Sequence, residues 1–151
     1  MSATHLRAPV RIERTLPAPP EQVFRAWTDA ESLRQWMLPG DIQRCEVRCD
    51  PRVGGRFEIV MLGEERYVQH GEYLVIDPPR RLVFSWFSAS LPDARTQVSV
   101  ELAATQDGGT RLVLVHEDLP DDPSYAGHED GWGDILRHLG EHLAPAARRT
   151  T

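Results

Sequence analysis

Near its C-terminal end the sequence places His128, His138 and His142, side chains able to bind metal or move protons. His138 and His142 stand one helical turn apart, Asp134 precedes them by another turn, and two imidazoles so spaced can share a zinc ion. The same segment carries an apolar stripe of Ile135, Leu136, Leu139 and Leu143 that turns the pair toward solvent. A hydrated face shared with Arg137 and Glu141 is the reading adopted, and no metal is expected. Cys45 and Cys49 lie in an alternating, strand-like segment. There they stand ~13 Å apart, too far for a disulfide, and no neighbouring His or Cys completes a metal set. Both read as small buried hydrophobes.

His116 is a different case. It follows Leu112 and Leu114 at period two and so shares their face. An imidazole that titrates near neutrality could hold the polar end of a ligand or act as an acid or base. The structural alternative is a buried histidine satisfied by its surroundings, or one paired with Glu117 or His128. No Gly-x-Ser-x-Gly elbow is present, and neither cysteine has an activating partner. Gly54-Gly55 sits between strands, where it serves a turn and not a phosphate cradle. No catalytic residue is assigned and no cofactor is expected.

The formal net charge of −6 over 151 residues opposes attraction to phosphate backbones, so nucleic acid is not an expected partner. The hydrophobic share of 40% and charged share of 26% are those of a globular protein. No apolar run approaches the ~20 residues of a membrane helix. Met1 to Val10 lacks the apolar core of a secretory signal, so a cytoplasmic location is expected.

These residues need a scaffold to position them. Val10 to Leu16 alternates as a half-buried strand, and Pro17, Pro19 and Pro20 stop it and open a helix with Val23, Phe24, Trp27 and Ala30 on its apolar face. A second short helix, Glu31 to Met37, carries Leu33, Trp36 and Met37. Strands follow. Cys45, Val47 and Cys49 share one face, as do Phe57, Ile59 and Met61. Arg66 to Ile76 is a long strand whose Gly71 marks a bulge or a close approach, leaving the facing of Tyr67, His70 and Tyr73 open by one register. Leu82, Phe84 and Trp86 make the next inward row, and Ser88 to Ala94 reads as a loop. Thr96, Val98, Val100 and Leu102 then pair across Asp107-Gly108-Gly109 with Leu112, Leu114 and His116. From about Pro123 a final helix presents Trp132, Ile135, Leu136, Leu139 and Leu143. Gly127, Gly131, Gly133 and Gly140 favour either a start near Gly131 or a first part that loosens as a gate. Strands grouped between helices, with no βαβ alternation, predict an α+β fold with an antiparallel sheet.

That order, with its local phrases, resembles the SRPBCC superfamily of START and birch-pollen-allergen-like helix-grip domains. The branch it resembles is named for the C-terminal domain of the Hsp90 ATPase activator. The phrases are Val53-Gly54-Gly55-Arg56-Phe57, the run from Gly71-Glu72-Tyr73 through Asp77-Pro78-Pro79 to Phe84-Ser85-Trp86, Gly109-Thr110-Arg111-Leu112 through His116-Glu117, and His128-Glu129-Asp130-Gly131-Trp132. The resemblance implies a helix-grip fold: a curved antiparallel sheet of about seven strands around a long C-terminal helix, with two short helices after the first strand. Residues 8–144 would form one such domain and 145–151 a flexible tail.

The resemblance also implies a cavity between sheet and helix. Its walls would be Phe57, Ile59, Met61, Phe84, Trp86, Val98, Val100, Leu112 and Leu114 from the sheet and Trp132, Leu136 and Leu139 from the helix. Trp27 and Trp36 would close one end, with His116, Tyr73 and, by register, Tyr67 or His70 as polar tips. The expected partner is a small hydrophobic or amphipathic molecule bound without catalysis. The alternatives are a polyketide cyclase or dehydratase-like enzyme and a module acting on a chaperone, and a homodimer is compatible with either.

Overall fold

The computed structural model describes residues 8–144, apart from Ser90 and the side chain of Pro92, so the tail expected at 145–151 lies outside the described residues. Strand β1 (Val10–Leu16) is followed by helices α1 (Pro20–Thr28) and α2 (Ala30–Trp36). Six strands come next: β2 (Arg44–Cys49), β3 (Arg56–Leu62), β4 (Arg66–Asp77), β5 (Arg81–Ser88), β6 (Leu91–Ala104) and β7 (Thr110–Glu117). The long helix α3 (Ser124–Leu143) ends the fold. All neighbouring strands are antiparallel, in the order β1-β7-β6-β5-β4-β3-β2. This is the α+β helix-grip architecture the sequence predicts.

Register explains which residues face inward. Val98 lies opposite His116, Val100 opposite Leu114 and Leu102 opposite Leu112, so the period-two rows of β6 and β7 share one face. Val98, Leu112 and Leu114 are inaccessible to solvent. On the far side of the sheet, Cys49 faces Phe57 and Val47 faces Ile59, extending the row onto β2 and β3. Against these rows α3 buries Trp132, Ile135, Leu136, Leu139 and Leu143, an i, i+3, i+4 stripe. Burying each Leu-sized side chain stabilises the fold by roughly 1.5–3 kcal/mol.

Gly71 is a point of close approach. A Cβ there would lie 1.9 Å from the Ser85 carbonyl oxygen and 2.7 Å from Cζ of Phe57. The irregularity in the ladder falls later, between Tyr73 and Val75. One expectation changes. The loop expected over Ser88 to Ala94 shortens to a turn, because Ser88 already pairs with Leu91 as β6 begins. The final helix starts at Ser124, in line with the reading from about Pro123, so the alternative start near Gly131 falls away. Asp122 there accepts the Ser124 N–H at 2.8 Å, satisfying one of the amides that a helix start leaves open.

Candidate ligand site between α3 and the sheet

Large aromatic rings fill most of the space under α3. Trp27 meets Trp36 edge-on at 4.8 Å between centroids, Phe57 meets Phe84 at 5.3 Å, and Trp86 meets Trp132 at 5.2 Å. What they leave is a void of about 20 Å³, walled by Trp27, Leu33, Met37, Val47, Phe57, Ile59, Tyr73, Leu82, Phe84 and Trp86. That is room for a single water and not for a ligand.

A larger space lies beside it. A cleft of about 290 Å³ runs between the N-terminal half of α3 and strands β3 to β5. Met61, Trp86, Trp132, Ile135 and Pro39 supply its apolar wall, and Gln69, Ser88, Ser124 and His128 its polar groups. Gly127 and Gly131, one turn apart on α3, also line it. A Cβ on Gly127 would meet nothing within 4 Å, so the absent side chain is part of the cleft's width. Trp86 belongs to both walls.

A hydrogen-bonded chain runs behind this wall. The Trp132 indole N–H donates to Nδ1 of His116 at 2.9 Å, so Nδ1 carries the lone pair and Nε2 the proton. Nε2–H then donates to the Thr96 hydroxyl at 2.7 Å, which donates to the Trp86 carbonyl at 2.7 Å. Both ring nitrogens of His116 are thus committed, and the residue is fully buried. Burial pulls its pKa down to about 3, and the neighbouring His128 acts in the same direction.

His128 stands 5.1 Å from the His116 ring, and its own pKa is lowered, chiefly by burial. Its Nδ1–H donates to the Ser124 carbonyl at 2.7 Å, leaving Nε2 as an acceptor with no partner among the described residues.

Four sequence-expected lining residues sit where a ligand would not reach them by polar contact or at all. Tyr67 shares the inner parity of Tyr73 but sits at the open end of β4, 37% exposed, and its hydroxyl donates to Glu65. His70 faces the opposite side, stacked on Phe87 at 4.9 Å. His116 is closed into its chain, and Trp36 is buried behind Trp27. Val98, Val100, Leu112, Leu114, Leu136 and Leu139 are packed core and line neither space. Trp27, Phe57, Ile59, Met61, Tyr73, Phe84, Trp86 and Trp132 do line one or both.

Gln69, Ser88, Gly127 and His128 were not anticipated as lining. A signal existed for two of them: His128 precedes Trp132 by one turn, and Gly127 precedes Gly131 by one turn, so both faces continue toward the helix start.

The remaining reactive groups are accounted for by packing. His142 bonds the Ser32 hydroxyl at 3.0 Å, and Nδ1 of His138 is buried, so neither lies on the hydrated face expected for it. No three His, Cys, Asp or Glu side chains gather as a metal site among the described residues. Both cysteines are free thiols. Burial pushes Cys45 up to about 11 against the pull of Arg34, and raises Cys49, which accepts from the Tyr73 hydroxyl. Neither is a thiolate at neutral pH.

Residues 17–144 match the family described as "Activator of Hsp90 ATPase homolog 1-like protein". The chain belongs to this family. Solved relatives agree in shape as well as sequence. Mll3558 from Rhizobium loti is 30% identical, with 90% of this chain and 96% of that one covered at a TM-score of 0.75. CV1439 from Chromobacterium violaceum is 27% identical over 91% of this chain and 97% of that one, with a TM-score of 0.78. PFC0360w, described as an HSP90 activator from Plasmodium falciparum, shares the fold at 24% identity and a TM-score of 0.72, covering 88% of this chain and 94% of that one. No curated protein matches the sequence. Among the described residues of this family member, no helix is long and apolar enough to cross a membrane.

Proposed function

We propose that this chain binds a small hydrophobic or amphipathic molecule in the cleft between α3 and strands β3 to β5, without catalysing its conversion. The observation that carries the reading is the cleft itself: about 290 Å³, mostly apolar walls and a few polar groups. What supports binding over catalysis is that His116, the acid–base candidate the sequence offers, has both nitrogens occupied by protein partners, which leaves His128 as a lone imidazole in the cleft wall with no second acid or base paired to it among the described residues. Free thiols on β2 suit the reducing cytoplasm, where we place the protein.

The test is titration with a naphthalene dye that fluoresces in apolar surroundings, expected to saturate at about one per chain. Gly127→Phe fills the cleft from a position with nothing within 4 Å of the new Cβ, so the fold should persist while binding is lost. Saturable binding that survives Gly127→Phe unchanged would place the ligand elsewhere.

Family membership favours a second reading, association with a chaperone of the Hsp90 type. Stimulation of a purified Hsp90 ATPase by this chain, undiminished in Gly127→Phe, would bring that reading to the front.

A further inference from the structure

The chain has four tryptophans, and their N–H groups are unequally served. Trp132 donates to His116. The indole N–H groups of Trp27, Trp36 and Trp86 are buried and have no acceptor among the described residues. Trp27 and Trp86 are 3% and 4% exposed, and both stand in the wall of the interior void. The other two orphaned buried side-chain atoms among the described residues, Nε1 of Trp36 and Nδ1 of His138, belong to neither wall. An unpaired buried donor is a standing cost that an acceptor oxygen would relieve.

From this we infer the chemistry of the ligand: a flat, uncharged, apolar molecule carrying a carbonyl-type oxygen that accepts a hydrogen bond from Trp86 Nε1. The inference rests on the cleft being the binding site. Trp86 and Trp132 are the two tryptophans that line the cleft, and of the two only Trp86 has an unpaired N–H, an atom sealed from solvent that a ligand reaches by turning the ring. Because Trp86 also walls the void, a ligand that turns its ring moves it against that space. No Lys or Arg lines either space, so a carboxylate would enter with no counter-ion and bear its full desolvation cost. The rings of Phe57, Phe84 and Trp132, 5.2–6.2 Å from Trp86, favour a flat body.

Two probes of nearly identical shape isolate the hydrogen bond: 2-acetylnaphthalene and 2-isopropenylnaphthalene, which differ by an oxygen against a CH₂. The ketone is the more costly to remove from water, so without a donor it binds more weakly. We expect it to bind the intact chain about tenfold more tightly. In spectra of protein labelled with ¹⁵N at the indole nitrogens, one N–H resonance should move downfield with the ketone and not with the hydrocarbon. In Trp86→Phe that resonance is missing, and the affinity ratio should fall to about one or below. Should Trp86→Phe not fold, benzothienylalanine at position 86 replaces N–H by sulfur at the same shape and makes the same comparison.

Equal or weaker ketone binding with unmoved indole resonances overturns the acceptor inference while leaving hydrophobic binding in place. Cross-relaxation showing a resident water on the Trp86 N–H that persists in the ketone complex overturns it too. Binding of neither probe overturns the cleft reading itself.

Discussion

A proton added to His116 has nowhere useful to go. Nδ1 already accepts from Trp132, so protonating it sets two donors against each other inside the core, beside a second imidazole. The pKa of His116 is about 3 in the fold against 6.5 for the free side chain, and that of His128 is lowered as well. Below pH 6.5 the unfolded chain therefore binds more protons than the folded one, and stability falls as pH falls. For His116 the stabilisation is complete above about pH 6.5 and is lost as pH drops toward 3, at up to about 1.4 kcal/mol per pH unit, and His128 acts in the same direction. Urea midpoints measured from pH 7 to 4 should decline on this slope, and His116→Gln should flatten it; a profile level to pH 4 contradicts the buried neutral pair. Thr96→Val keeps shape and strand preference but removes the acceptor for Nε2–H. It should cost about 1–3 kcal/mol in urea denaturation.

At the level of the element, Gly71 concentrates a demand of the whole sheet in one backbone position. Its missing side chain lets the Ser85 carbonyl and the Phe57 ring close over the β3–β4–β5 ladder. Gly71→Ala should therefore be severely destabilising, by about 3 kcal/mol or more, since a rigid carbonyl has to move. Gly127→Ala should do the opposite, adding up to about 1 kcal/mol, because its Cβ meets only open space on a helix. Thermal melts of the two variants should move in opposite directions. The strands themselves were legible from period two, as β1 and the β6–β7 hairpin illustrate, because alternation and turn glycines are local properties. Which inward residues meet open space was not legible. Tyr67 and Tyr73 have the same parity, yet one is exposed and the other buried, since the difference is set by where along β4 the helix and the aromatic cluster end. Likewise parity placed His116 inward, but only three-dimensional packing brought Thr96 and Trp132 onto its two nitrogens.

For the molecule as a whole, the helix-grip fold keeps an incompletely used interior: a void of about 20 Å³ and a cleft of about 290 Å³ that share the wall residue Trp86. Voids and orphaned donors both reduce stability, so the unliganded chain should lie below its attainable maximum. A molecule bound only by the folded state stabilises it by RT ln(1 + [L]/Kd), about 2.7 kcal/mol at a hundredfold excess over Kd. For a chain of this size that corresponds to a rise in Tm of roughly 5–11 °C. A planar aromatic ketone should produce such a rise in the native sequence at saturating concentration. In Gly127→Phe, where the cleft is filled, the same ketone should leave Tm where it is, although the variant itself unfolds cooperatively. An equal rise in both proteins would mean that the ligand acts outside the cleft. A rise in neither, with the ketone shown to be soluble at the concentration used, would leave the void and the unpaired indoles as a cost the fold carries without ligand.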